Sequence, residues 1–366
     1  MKTVLVTYAG GRNAIGFCRA LMAAPEPFRV IGVDADKYKV HRAAAHESYL
    51  VPRASEPEFI PSLRRIIERT GADLLWPCHE AEIAAIAHAG DMGARTYLPP
   101  AEVIDLCQDK MTTYDRLQAA GVPVPRSMML HSEEDLRRAF QEYGGSVWLR
   151  ATKGAGGKGS LPASEADFET AKAWVNIYDG WGDFMAAEKL TERTITWESV
   201  WHQGSLIFAQ GRKRLFWEVA HLTLSGATGV AGALQWASDP LVDRTAMAAV
   251  RAVTPAPHGI FSVDMTYDTR GVACVTEINI GRFMSGGVTH FYAHGINVPD
   301  MVARIALGEP PALQGPVMNP FPTDTVLVHG LDAEPAVVTD KDTARLVEEM
   351  EAMRRSLAFT GHARAA

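Results

Sequence analysis

Cysteine is scarce in this chain, and the four present, Cys18, Cys78, Cys107 and Cys274, stand far apart. That spacing excludes a CxxC zinc knuckle and a dense disulfide framework, and it suits a reducing compartment. Basic residues are not in surplus either. Lysine and arginine number 36 against 43 aspartates and glutamates, a formal net charge of −7, whereas binding a phosphate backbone calls for a concentration of cations; no nucleic-acid partner is expected. No stretch approaches the roughly 18 apolar residues of a membrane helix, and the apolar run in MKTVLVTYAGG is too short for the core of a secretion signal. The expectation is a soluble, cytoplasmic protein without a membrane partner. A P-loop is missing as well: in LRATKGAGGKGS (149–160), Lys158 is followed by Gly159, so the hydroxyl of Ser160 arrives one residue late for a magnesium ion. The histidines, among them His221, His258, His290 and His294, form no recognisable catalytic triad.

What remains is an ordinary globular composition, 47% hydrophobic and 22% charged over 366 residues, long enough for two or three domains. The first hundred residues alternate short apolar strands (KTVLVTY, FRVIGVDAD, ADLLWPC) with amphipathic helices (AIGFCRALMAA, IPSLRRIIERTG), the pattern of a parallel, doubly wound sheet. Asp34 and Asp36 close the second strand about 20 residues after a glycine turn, where an acid that binds a dinucleotide ribose would sit. With Gly11 and Gly16 as the outer glycines, however, Asn13 occupies the middle position and its side chain blocks approach to a pyrophosphate. A strand-to-helix turn is favoured there over an NAD site.

Near residue 100 the character changes. YLPPAEVIDLCQDKMTTYDRLQAAGVPVPRS holds a Pro pair opening one helix, a second helical pattern carrying Lys110, and a stop at Gly121 before two prolines that force extended chain. After the strand SVWLRAT and the glycine loop comes a helical segment, EADFETAKAWVN. TITWESVWHQGSLIFAQ then reads as a hairpin in which Ile195, Trp197 and Trp201 share a face, and from here the sheet is expected to be antiparallel. DTARLVEEMEAMRRSLAF is an amphipathic helix and TGHARAA a frayed end.

The segment GIFSVDMTYDTRGVACVTEINIGRFMSGG (259–287) predicts two strands around DTRG, the second of them central in its sheet. Alternation puts Glu277 and Asn279 on one face. Pairing Tyr267 with Val272 places Asp264 opposite Val275, diagonal to Glu277, so that three oxygen donors converge at about 7–8 Å spacing. Magnesium takes such hard oxygens from one or two carboxylates and fills its other positions with water and phosphates. The competing reading is a solvated polar face on an edge hairpin.

Taken in order, Lys110 before AAGVPVPRS, Arg150 before KGAGGKG, then AAEKL, Asp264 and TEINIGR resemble an ATP-grasp ligase, and VTYAGGRNAIGFCRAL with VIGVDAD is similar to the domain that precedes the grasp in the carbamoyl-phosphate-synthetase-like and amino-acid-ligase branches. The resemblance runs from residue 1 to about 310. It implies α/β and α+β architecture: an N-terminal doubly wound parallel domain (1–106), a small lobe with a glycine flap (107–190), a mainly antiparallel lobe with the metal site (191–320) and a C-terminal extension (321–366). Carried over by position, Lys110 and Arg150 would contact the α- and β-phosphates of ATP under a flap containing Lys153, Gly156, Gly157 and Lys158, the two lysines either adding charge there or standing solvated on the surface. Glu188, Lys189 and Leu190 would form the hinge that reads adenine. Thr194 stands where relatives carry the ribose-binding Glu, leaving Glu192 and Glu198 as neighbours for that role. Asp264, Glu277 and Asn279 fall on the Mg2+ positions, where Mn2+ is an alternative, and the first is shorter than the family's usual residue.

The activity implied is ligation of a small carboxylate to an amine through an acyl phosphate. Arg282 would clamp the carboxylate or acyl phosphate, with Ser285, Gly286 and Gly287 beside it and Arg212 and Lys213 as weaker candidates. Trp197, Trp201, Phe216 and Trp217 could line an acceptor pocket, though aromatics on a sheet are more often core. The resemblance also admits a homodimer built through the N-terminal domain. A carbamoyl-phosphate-type enzyme acting on bicarbonate and a nucleotide-binding protein without turnover are the alternatives.

Overall fold

The computed structural model describes residues 1–154, 157, 159–284, 291, 294–310, 315–328, 330, 336–341, 344 and 348. The first unit is β1 (Thr3–Val6), α1 (Arg12–Met22), β2 (Arg29–Asp34), β3 (Glu47–Leu50), α2 (Phe59–Thr70), β4 (Leu74–Trp76) and α3 (Glu80–Ala89). Its strands pair in parallel in the order β3-β2-β1-β4. Every residue of β1 is buried, as a strand covered on both faces requires. Val4 and Val6 pack with Phe17 and Leu21 of α1, while Leu5 packs with Phe59 and Leu63 of α2.

The chain then passes through α4 (Ala101–Gln108) and α5 (Lys110–Ala119) into a second unit: β5 (Ser127–Leu130), α6 (Glu133–Glu142), β6 (Ser146–Ala151), β7 (Leu161–Ser164), α7 (Phe168–Ile177) and β8 (Phe184–Glu188). Its four strands are antiparallel in the order β5-β8-β6-β7. They enclose a separate core of Leu130, Leu136, Phe140, Leu149 and Phe184.

The third unit contains β9 (Thr194–His202), β10 (Ser205–Trp217), β11 (Ala231–Ala237), α8 (Pro240–Val253), β12 (Gly259–Tyr267), β13 (Ala273–Ile280) and the helix Val298–Ala306. The expected hairpin is β9–β10, and Ile195, Trp197 and Trp201 share a buried face beneath α8. The sheet runs β13-β12-β9-β10-β11-β14-β15, antiparallel throughout, so β14 (Thr325–Val328) and β15 (Ala336–Thr339) extend it past residue 320.

Two expectations about the metal hairpin need correction. β13 is an edge strand, not a central one; its outer side is covered where the Val275 amide donates to the Pro123 carbonyl at 2.8 Å. Tyr267 pairs with Ala273 and Met265 with Val275, but Asp264 pairs with Glu277, so Thr276 is an extra residue bulged out of the ladder. The expected helix at 342–359 and the tail beyond it fall almost wholly outside the described residues.

The helix Val298–Ala306 folds back on α1. Val298, Val302 and Phe283 share one core with Val4, Phe17 and Trp76, and the Asn297 side chain donates to the Ala20 carbonyl at 2.6 Å. The first and third units are thus joined through a common interior. No helix among the described residues is long and apolar enough to cross a membrane.

Candidate functional site

Where the three units meet lies a cavity of about 640 Å³. Its floor is the polar face of the large sheet. Strand alternation delivers Thr196 from β9, Arg212 and Arg214 from β10, Asp264 from β12, and Glu277 and Asn279 from β13 to this one surface. The bulge at Thr276 seats Asp264 directly opposite Glu277. Asn279 donates its amide to Asp264 Oδ2 at 3.0 Å, and the Thr196 hydroxyl donates to the other oxygen. Burial pushes the Asp264 carboxyl up, Glu277 adds to the rise, and the Arg214 guanidinium opposes it. No group of three His, Cys, Asp or Glu able to hold a metal occurs among the described residues. The three converging side chains are instead two carboxylates and an amide, a hard-oxygen set that fits Mg2+ completed by phosphate and water.

Cations stand across from these acids. Lys110, the first residue of α5, reaches Glu277 Oε1 at 3.3 Å and donates to the Gly154 carbonyl at 2.8 Å. Arg150, near the end of β6, donates through Nη2 to the Tyr114 hydroxyl and to the Thr276 carbonyl. Its Nε is buried without a hydrogen-bond partner, which carries a desolvation cost, and the side chain as a whole borders the cavity. Gly154 and Gly157 of the glycine loop line the cavity. Gly157 has φ +72°, and a Cβ there would lie 3.0 Å from the Ala227 carbonyl oxygen, so the loop meets segment 225–230 at close range. Lys153 takes the solvated of its two expected roles: its side chain is 74% exposed, stands 3.7 Å from Asp109 and does not line the cavity. Gly156 and Lys158 lie outside the described residues.

The expected hinge, Glu188, Lys189 and Leu190, borders the same cavity. The Glu188 carboxylate is committed to Arg126, accepting from its backbone N–H at 3.0 Å and its Nε at 2.9 Å. The acidic side chain is thereby engaged within the protein. Glu198 must be withdrawn as a ribose ligand. It is fully buried, paired with Arg212, and accepts from the Ser262 hydroxyl at 3.2 Å and the Met284 N–H at 2.8 Å. One row nearer the cavity, Thr194 and Glu192 do line it.

The remaining wall brings Arg282 against the first unit. Arg282 is 8% exposed and donates to Asn279 Oδ1 at 3.5 Å; Tyr8, Arg12, His79 and Glu80 border the same end. His79 caps α3, its Nδ1 accepting from the Ala81 N–H at 3.3 Å. Burial, then the charges of Arg282 and Lys39, push its pKa down, while burial pushes the Glu80 carboxyl up against the pull of Arg282. The glycine turn beneath is packed against its neighbours. Asp34 accepts from the Gly10 N–H at 3.0 Å, and a Cβ on Gly10 would lie 1.9 Å from the Lys39 carbonyl oxygen.

Several lining residues escaped the sequence reading. Arg214 stacks over Trp217 at 3.6 Å, and its place two residues after Arg212 on one strand was the available signal. Tyr114, His79 and Glu80 carried none. Lys213 points the other way, into a smaller second cavity. Trp197 and Trp201 are core, Phe216 is 49% exposed, and Trp217 lines the site. Ser285, Gly286, Gly287 and His290 lie outside the described residues.

No protein-family model matches the chain. Over 134 residues it is 34% identical to biotin carboxylase of Pseudomonas aeruginosa, a match covering 34% of this chain and 30% of that enzyme's length. An L-amino acid ligase from Bacillus licheniformis superposes with a TM-score of 0.67 at 14% identity, covering 89% of this chain and 79% of that one. The biotin carboxylase domain dimer of Hydrogenobacter thermophilus 2-oxoglutarate carboxylase, in complex with MgADP, ADP and bicarbonate, does so with a TM-score of 0.67 at 18% identity, covering 89% and 73%. At these identities the structural likeness is one of fold.

Proposed function

We propose that this chain, an ATP-grasp fold behind a parallel α/β domain, is an ATP-dependent ligase joining a small carboxylate to an amine through an acyl phosphate. One observation carries the reading: Asp264, Glu277 and Asn279 converge across a single cavity from Lys110 and Arg150. In it, Lys110 and Arg150 hold the phosphates, Gly154 and Gly157 turn backbone N–H groups toward them, and the backbone of 188–190 reads the base. Asp264, Glu277 and Asn279 would hold Mg2+, or Mn2+ in its place, which when bound would supply neutralisation of phosphate charge.

The carboxylate substrate, clamped by Arg282 through paired hydrogen bonds, attacks the γ-phosphorus, and the bond to the bridging oxygen breaks to release ADP. The amine then attacks the acyl carbon, phosphate departs, and the nitrogen sheds a proton. Positioning and charge neutralisation do most of this work, so no covalent nucleophile is needed. The experiment is ADP release measured with pairs of amino acids or other carboxylates and amines. Release is expected to require Mg2+ and to fall on the order of 10²-fold in Glu277→Gln; turnover undiminished in that variant ends the assignment.

The identity to a biotin carboxylase favours a second reading in which the carboxylate is bicarbonate. ADP release stimulated by bicarbonate with no organic acid present would select it. The same reading includes a homodimer, for which the dimeric Hydrogenobacter neighbour is the support.

A further inference from the structure

Arg150 is held by two acceptors from different units. The Tyr114 hydroxyl comes from α5, and the Thr276 carbonyl comes from the bulge in β13. The Tyr114 hydroxyl itself donates to the same carbonyl at 2.9 Å. Two donors therefore share one oxygen, that of the residue bulged out of the ladder. The Thr276 hydroxyl donates back to the Asp264 carbonyl at 3.1 Å, closing the bulge.

We infer that Tyr114 is a positioning residue: its hydroxyl and the Thr276 carbonyl fix the Arg150 guanidinium, which lines the cavity, in place for a nucleotide phosphate. This rests on the reading of the cavity as a nucleotide site and deepens it. A guanidinium carries five N–H donors in a rigid fork, so satisfying one nitrogen fixes where the others point. Here Nη2 is engaged by the two acceptors while the side chain borders the cavity. The Tyr114 ring, 3% exposed and packed with Met185 and Ala187, supplies a stiff mount. Glu277, a metal ligand in the proposed site, immediately follows the carbonyl that anchors Arg150. One backbone irregularity thus sets both the carboxylate under the metal and the cation over the phosphate.

The test is MgADP binding by titration calorimetry to the full chain as wild type, Tyr114→Phe, Arg150→Lys and the double variant. Phenylalanine keeps the buried ring, so melting temperatures without nucleotide are expected to stay close to wild type. Tyr114→Phe should weaken MgADP about 10-fold, and the double variant should bind only slightly more weakly than Arg150→Lys, because coupled residues are non-additive. Tyr114→Phe binding within twofold of wild type, or losses that simply multiply in the double variant, would overturn the positioning role. A melting temperature that drops while affinity holds would reduce Tyr114 to a packing residue and overturn that role equally. If the wild type binds no MgADP at all, the nucleotide reading itself fails, an outcome distinct from the others.

Discussion

Glu82 sits in α3 beneath the strand-to-helix turn, 5% exposed, accepting a hydrogen bond from the Thr7 hydroxyl. Burial, reinforced by the charge of Asp34 and opposed by the Thr7 bond, raises its pKa from 4.5 to about 7. The folded state therefore holds this proton more tightly than the unfolded chain does. Below pH 4.5 both states are protonated and the group is neutral to folding. As pH rises toward 7 the unfolded chain alone releases the proton, so stability falls, reaching a loss of about 3 kcal/mol above that. Glu82→Gln keeps the acceptor for Thr7 and removes the charge. Its melting temperature is expected to pull ahead of wild type progressively between pH 4.5 and 7; parallel curves across that window would refute the buried acid. Side-chain depth of this kind is what the sequence hides. Thr194, Thr196 and Glu198 alternate identically along β9, yet the last lies under the cavity floor, bound to Arg212, and nothing in TITWES separates the three.

At the level of elements, α5 illustrates how local sequence positions a functional group. Asp109 caps the helix, its side chain accepting from the Thr112 N–H at 3.1 Å, and so fixes the first helical residue, Lys110, at the cavity. Asp109→Ala is expected to cost about 1 kcal/mol of stability, the usual loss for such a cap, and to raise KM for ATP several-fold through Lys110 while leaving the KM of the acceptor unchanged. A stability loss without the KM change would mean that Glu277 and Gly154 position Lys110 unaided. The helix was legible as a pattern carrying Lys110 and stopping at Gly121. The bulge at Thr276 was not, because threonine is a good strand residue and an inserted position leaves no mark on a short alternating run. The expected pair Tyr267–Val272 is one residue off at the turn and the bulge adds a second, so the counted partner Val275 lies two residues from the true one, Glu277, and the face of Asp264 came out correct only because the two offsets cancel in the alternation of faces.

On the scale of the whole molecule the same four letters serve two environments: TVLV is β1, buried in the middle of the parallel sheet, and TVLV is β14, extending the antiparallel one. Tertiary context decides between them, and the return of Val298–Ala306 onto α1 has no local signature either. That return has a dynamic consequence. The first and third units share one interior, whereas the second has its own, centred on Phe140 and Phe184. Across the cavity the second unit is linked to the third by the Arg150 bond to the Thr276 carbonyl and the approach of Gly157 to Ala227, and Lys110 ties its Gly154 to Glu277. Opening of the second unit away from the others leaves both large cores intact and breaks only the small cluster of Tyr114 with Met185 and Ala187, so it should lie at the low end of local stability. Amides of β6, β7 and β8 are accordingly expected to exchange with deuterium faster than those of β1 and β2. Nucleotide bridging the units would be lost on opening, so MgADP at about 100 times its Kd should slow exchange in the second unit on the order of 100-fold, equivalent to about 2.7 kcal/mol, and leave β1 and β2 nearly unchanged. Equal slowing in both units would mean that they open together and that the cavity is not a cleft between separately moving bodies.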